Sequence, residues 1–310
     1  MLSERTADGI VVSTPAKVNL FLEVLGKRPD GYHDLETLMV AVTLEDRLEF
    51  QLDESGAMTL TCDRPELSCG PDNLVLKAAE RLRRHSGTIQ GARIHLSKRI
   101  PMQAGLAGGS SDAAATLKGL NDLWNLGLSD QRLAEIGAEV GSDVAFFFSP
   151  GVAWCTGRGE QVEPIELGRT LDFVLVSPAV GLSTARVFRE VRVPGTPISG
   201  SAIRQAAARG DVEEIGRRLH NRLQEPAEKL CPEVREIREA LAAANPAGVL
   251  LTGSGTTVYA LCRDRDDAIR VARTMGAEAT GLSLAEGAAS PSPAGLAGGK
   301  WKLQVVRSCR

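Results

Sequence analysis

No apolar run in the 310-residue sequence is long. The longest are five residues, VAFFF at 144–148 among them, far below the ~20 that cross a bilayer, and MLSERTADGIVV at the start lacks a signal-peptide core. No membrane partner is expected. Histidine is scarce, at four, and neither CxxC nor HExxH occurs, so a zinc ribbon and a zincin are both excluded; metal ligands stay unknown. Six scattered cysteines fit reduced thiols in a cytoplasmic protein. A net charge of −3 gives no basic excess for nucleic acid, so any anionic ligand has to be held by a local site. The GxxxxGK[ST] and GxGxxG phosphate signatures are also missing, and no internal repeat is visible.

What is present reads as two α+β units. Over the first 70 residues, GIVVST, KVNLFLEVLG, RLEFQL and AMTLTC are short strand-like runs cut by RPDGY and LDESG. Asp72 or Asn73 caps a helix from Leu74, and ARIHLSK alternates into Pro101 and a glycine-rich run. The spacing of Ala114, Leu117, Leu120 and Trp124 predicts a helix over 110–125, and Ser129 caps another. GVAWCTG and EQVEPI read as a hairpin. Near residue 168 the rhythm changes: TLDFVLVSP is a strand, helical patterns follow at 184–191, 199–209 and 211–230, and Pro232 opens PEVREIREALAAAN. GVLLTGSGTTVYALC reads as strand, glycine turn, strand. The expected units are 1–168 and 169–285, followed by a 286–310 tail whose EGAASPSPAGLAGG is low-complexity linker. KWKLQVVRSCR has no role legible in the sequence.

Four segments carry chemistry. PMQAGLAGGSSDAA at 101–114 puts glycines before a helix N-terminus, where unpaired N–H groups and the helix dipole favour a phosphate. Ser110 and Ser111 add hydroxyls or a route to Mg²⁺, and Lys98 and Arg99 favour a polyphosphate; the alternative is a tight turn with serine caps. Asp143 in VGSDVAFFF is either an N-cap or a general base. Lys17 in TPAKVNLFLEV is either a solvated edge lysine or a paired one, with Asn19 on its face of the strand; a Lys17–Asp143 pair would keep both charged. LTGSGTTVYAL at 251–261 is a hairpin turn or a backbone approach to substrate.

In this order, TPAKVNLFL, PMQAGLAGGSSDAA and LTGSGTTVYAL resemble the three motifs of the GHMP kinase superfamily. PAKVNLFLEVLGKRPDGYHDLETLMVAV, GPDNLVLKAAERL, GSDVAFF and GLSTARVF are similar to its branch acting on a cytidine diphosphate methylerythritol, over roughly residues 10–285. The resemblance implies a two-domain α+β fold: an N-terminal half like ribosomal protein S5 domain 2, a ferredoxin-like C-terminal half, and an active site in the cleft between them. It implies ATP and Mg²⁺, a monomer or weak homodimer, and phosphoryl transfer to a small-molecule substrate's hydroxyl in the non-mevalonate isoprenoid pathway. It makes Lys17 and Asp143 the catalytic pair. It gives ATP to Asn73, Lys98, Pro101, Gly105, Leu106, Ala107, Gly108, Gly109, Ser110 and Ser111. The substrate falls to Asn19, Thr184, Gly253, Ser254 and Gly255, with Tyr32 and Phe188 stacking on the cytosine and His33 bonding its edge. Three positions depart from the pattern: Ala107 stands for a glycine, Ala145 for a proline, and Asp112 for an asparagine, there to repel phosphate or help hold Mg²⁺. The GYH segment and Phe188 argue against a homoserine or mevalonate kinase, whose small substrates need no stacking rings.

Overall fold

The computed structural model describes residues 1–276 and 301–309. Its first half is a sheet built on two long strands. β1 (Leu2–Arg5) pairs with β2 (Ile10–Lys27), and β2 with β3 (His33–Asp53), turning at the Arg28–Tyr32 loop. After β4 (Met58–Cys62), α1 (Leu74–Ser86) crosses to β5 (Gly91–Ser97), which lies parallel to β4 and antiparallel to β3. Asn73, not Asp72, caps α1 through Val75 N–H, and Gly87 ends it at φ 71°. α2 (Gly108–Leu123) and α3 (Asp130–Ala138, capped by Ser129) lead to a 3₁₀ turn at Ala145–Phe148. The hairpin of β6 (Val152–Thr156) and β7 (Gln161–Pro164) then adds to the first half of β3, at Thr37–Val40.

Alternation on β3 and β5 places the first unusual residues. Leu44, Leu48 and Phe50 point inward on β3, and so does Asp46, fully buried in their register. On β5, Ala92, Ile94 and Leu96 point inward; Lys98, two residues further, keeps that parity. Because Arg47 pairs with Ser97, Asp46 and Lys98 come face to face just past the end of the ladder.

The second half is a four-stranded antiparallel sheet. β8 (Asp172–Pro178) is followed by α4 (Thr184–Glu190), α5 (Ser201–Arg209) and α6 (Val212–Arg218). The single helical pattern expected over 211–230 is broken: β9 (His220–Asn221) pairs with β2, and α7 (Gln224–Leu230) starts afresh. Asn221 causes the break. Its side chain donates to Leu251 O and Gly253 O and accepts from Leu223 N–H, bonds a continuous helix does not offer. α8 (Pro232–Ala243), β10 (Gly248–Leu251), β11 (Val258–Cys262), α9 (Arg265–Thr274) and β12 (Trp301–Arg307) complete the unit. The order β10-β11-β8-β12 with two crossing helices is the split β-α-β of a ferredoxin-like fold. The tail that was mute in the sequence is thus its fourth strand, and it also reaches the first sheet, where Cys309 N–H donates to Ala41 O. The low-complexity linker lies outside the described residues.

The two sheets share an apolar contact: Ala16, Val18 and Leu20 of β2 pack with Phe173 and Leu175 of β8 and with Tyr259 of β11. The Tyr259 hydroxyl, fully buried, donates to Asn19 O at 2.9 Å. The cleft opens beside this joint.

Candidate active site

The cleft measures about 1320 Å³ and runs from the glycine loop to the Tyr32 loop and to Phe188 on α4. Pockets for one small ligand span roughly 300–1,000 Å³, so the cleft has room for two.

At one end lies the start of α2. No side chain caps this helix, so its first-turn N–H groups, in Gly108, Gly109 and Ser110 along the cleft wall, remain available to an anion at the positive end of the dipole. Ala107 occupies the preceding position at φ 55°, left-handed for a residue with a β-carbon. The glycines are not interchangeable. Gly105 has φ 75°, and a β-carbon there would collide with the carbonyl oxygen of Thr252. On Gly108 it would come within 2.8 Å of Lys98 Nζ, whereas on Gly109 its nearest neighbour would be Leu74 at an ordinary 3.4 Å. Gly105 and Gly108 therefore serve contacts inside the protein, and Gly109 leaves the space open. Pro101 and Leu106 also line the wall, though the Leu106 side chain belongs to the core and its carbonyl accepts from Lys17 N–H.

Beneath the loop, Lys98 bridges two buried carboxylates, Asp46 and, at 2.7 Å, Asp112. Asp46 also accepts from the N–H groups of Arg99 and Ile100. Burial works to lower the Lys98 pKa, but Asp112 and Asp46 outweigh it and hold the ammonium above its usual range. Burial, with Asp46 nearby, pushes Asp112 up to about 7 against the pull of Lys98. Lys98 lines the cleft and at the same time clamps β3, β5 and α2 together. Asp112 turns Oδ2 to Lys98, and its Oδ1 is buried with no partner.

Ser111 lies outside the lining. Its hydroxyl is buried, 2.6 Å from both Thr14 Oγ1 and Pro15 O, so it ties α2 to β2 and faces away from the cleft. Gly255 likewise lies outside the lining; its surroundings are Leu251 and Ala227. Asn73 lines the cleft, with its side chain engaged by Val75 N–H and Ser68 O.

At the centre, Lys17 Nζ donates to Asn19 Oδ1 at 2.6 Å and to Gly105 O at 2.9 Å. Burial lowers its pKa, while the Asp143 carboxylate resists that fall through space; among the described residues no direct ion pair joins the two. Asn19 Oδ1 also accepts from Gly253 N–H, and its amide donates to Thr37 Oγ1. Asn19 lines the cleft, and with its oxygen engaged it fixes Lys17 and the Thr252–Gly253 turn. Thr37, Thr252 and Asn221, which secure this arrangement, carry no local sequence signal as site residues.

At the other end, His33 stacks on Phe188 with centroids 5.3 Å apart. Burial, with Lys27 nearby, lowers the His33 pKa and favours the neutral ring. Tyr32 is 54% exposed, with the Arg158 guanidinium 5.0 Å from its ring centroid. Thr184 Oγ1 and Ser254 Oγ are 2.9 Å apart on the adjoining wall, with Gly253 beside them. Arg158 also went unread in the sequence; TGRGE looks only like a hairpin turn.

Two family models match: the GHMP kinases N-terminal domain over residues 73–151 and the GHMP kinases C-terminal domain over 203–280. The chain is 44% identical over 259 residues to the 4-diphosphocytidyl-2-C-methyl-D-erythritol kinase of Pelotomaculum thermopropionicum, covering 83% of this chain and 90% of that one. It belongs to the 4-diphosphocytidyl-2-C-methyl-D-erythritol kinase family. The family member of Brevibacillus brevis is also 44% identical, over 81% of this chain and 87% of its own. A solved 4-(cytidine 5'-diphospho)-2C-methyl-D-erythritol kinase superposes with a TM-score of 0.74 at 32% identity, covering 97% of this chain and 99% of that one. A homoserine kinase from Cytophaga hutchinsonii also reaches 0.74, at 18% identity, over 99% and 96%. Backbone shape is therefore common to the superfamily, and sequence separates this family from its neighbours. As a GHMP kinase, the chain is a small-molecule kinase that uses ATP.

Proposed function

We propose that the chain transfers the γ-phosphoryl group of ATP to the 2-hydroxyl of 4-diphosphocytidyl-2-C-methyl-D-erythritol, a step of the non-mevalonate route to isoprenoids. One observation carries this reading beside the family membership: a single cleft joins an uncapped helix start to a cluster of π faces, Tyr32, His33 and Phe188. The first suits a triphosphate, and the second suits a nucleobase. Gly105–Ser110 and Pro101 hold the triphosphate, with Asn73 at its edge. Tyr32 and Phe188 stack the cytosine, and His33 reads its edge. Thr184, Gly253 and Ser254 line the path of the acceptor to Lys17 and Asp143.

A carboxylate cannot deprotonate an alcohol in the ground state. Asp143 orients the hydroxyl and receives its proton late in a loose transition state, while Lys17, fixed by Asn19 and Gly105, holds charge at the reacting centre. Alignment of two bound reactants supplies ~7–11 kcal/mol, against ~3–5 kcal/mol for general-base help, so positioning dominates. Among the described residues no group of three or more His, Cys, Asp or Glu is arranged to hold a metal. Mg²⁺ enters the proposal as the counter-ion of ATP, neutralising phosphate charge, with no protein ligand assigned.

The donor unit is 1–168 and the second unit starts at 169, taking in β12 of the tail. The cleft is complete within one chain, which supports a monomer or weak homodimer. No helix among the described residues is long and apolar enough to cross a membrane, which supports a cytoplasmic reading. ADP release tests the assignment: robust turnover is expected with the cytidine diphosphate acceptor and little with homoserine or mevalonate. Equal efficiency with either competitor overturns it.

A further inference from the structure

Gln103 sits in the segment that leads into the glycine loop and takes a φ of 51°, left-handed for a residue with a β-carbon. A residue stays in that region only where its surroundings hold it. Contacts from the second unit hold Gln103. Its carbonyl accepts from Leu182 N–H at 3.1 Å. Its side chain lies against Gly181, where an added β-carbon would meet Gln103 Cβ at 2.8 Å and Oε1 at 3.1 Å. Gly181 itself stays out of the left-handed region, so its bare α-carbon serves this approach and not its own backbone.

This contact stands between the two ends of the cleft. On one side, Gln103 and Gly105 line the wall on the way to the start of α2. On the other, α4 begins just past Leu182 and carries Thr184 and Phe188 into the lining. The Leu182 side chain is buried with Val176 and Val187 in the core of the second unit, so a shift of its N–H carries the root of α4 with it. The turn after β10 touches both partners: Thr256 Oγ1 donates to Val180 O at 2.8 Å, and Thr257 N–H donates to Ala104 O at 3.1 Å.

We propose that Gln103 is a positioning residue that couples donor binding to acceptor binding by docking the glycine loop onto the root of α4. Docked, Gln103 is left-handed, and both the loop and Phe188 are in place. Undocked, it relaxes to ordinary backbone, the Leu182 contact opens, and each end is less well formed. A ligand at either end favours the docked arrangement and so raises the affinity of the other end for its own ligand. The inference rests on the function proposed above and deepens it: the two substrates fill one site cooperatively.

Calorimetric titration of the full chain with the cytidine diphosphate acceptor, without and with a non-hydrolysable ATP analogue and Mg²⁺, tests it. The ratio of the two Kd values is the coupling, and linkage requires the same ratio when the order of addition is reversed. Direct repulsion between the two anionic ligands is common to every variant, so the comparison among variants carries the test. The docked fraction sets both the affinity for a single ligand and the coupling. Q103G reaches the left-handed backbone without strain, so its single-ligand affinities rise and its coupling falls below that of the wild type. G181A wedges the contact open, so its single-ligand affinities fall and its coupling rises about threefold or more. A merely structural disturbance would not move the coupling in opposite directions. Equal couplings in the three proteins, or couplings that move together in the two variants, overturn this inference and leave the functional reading standing. A wild type that binds neither ligand overturns the functional reading and this inference with it.

Discussion

The glycine-loop end of the cleft, proposed for the donor, is main chain tied into the core, and the opposite end, proposed for the acceptor, is made of half-buried and exposed side chains. At the donor end Gly108, Ser111 and Asp112 are buried, Lys98 is clamped between two carboxylates, and Gly105 fits against the Thr252 carbonyl with no room for a methyl group. At the acceptor end Tyr32 stands half in solvent, and the contacts are ring on ring or cation on ring. The backbone of the glycine loop is woven into the packing, so a change there costs stability, whereas a change of an exposed side chain such as Tyr32 does not. A solved member of the family and a homoserine kinase superpose on the chain with the same TM-score of 0.74, so backbone shape does not tell the two apart.

The largest effect is expected where the two ends meet. Asp143→Asn lowers kcat at least about a hundredfold and leaves the binding of both ligands near wild type, as rapid-quench and titration experiments will show; near-normal turnover would remove the base role. Next comes a paired substitution across the cleft. Gly105→Ala combines a left-handed φ with a backbone clash and costs on the order of 3 kcal/mol of stability, read by denaturant unfolding. Tyr32→Ala leaves that stability unchanged and raises the acceptor KM roughly tenfold or more. If both variants act on stability alone, or both on KM alone, the contrast between the two ends is wrong. The smallest effect concerns protons. Asp112, pushed up to about 7, holds a proton in the folded chain that the unfolded chain releases near its ordinary 3.8. The folded state is therefore favoured at low pH, and this contribution is lost as pH rises through the interval between those values and then stays flat. Tm profiles of wild type and Asp112→Asn will differ by that slope; parallel profiles would show that Asp112 does not titrate there.

Much of the fold is legible locally. Capping by Ser129, the β6–β7 hairpin and the alternation of β3 and β5 all lie within a few neighbouring residues. The Asp46–Lys98 pair was not read, although both residues keep the inward parity of their strands, because the sequence does not set β3 beside β5. The break at Asn221 was not read either, because its partners Leu251 and Gly253 lie some thirty residues on. Nor did anything local indicate that residues 301–307 would join β8. At the site, Ser111 follows Ser110 in sequence, but one helical step of ~100° turns its hydroxyl from the cleft to β2. Asn19 and Arg158 were obscure for the same reason: their roles depend on what other strands bring beside them.

β12 has a consequence for the order of manufacture. β8 lies between β11 and β12 in its sheet, and β12 leaves the ribosome after every other described element. Until then one edge of β8 is open along its whole length, in a strand buried from Asp172 to Ser177 in the finished molecule. The chain thus passes through a stage in which the donor sheet has all its strands and the second sheet is a bare template for other strands. Chaperone dependence and aggregation are expected to concentrate in that interval, before a seven-residue strand closes it.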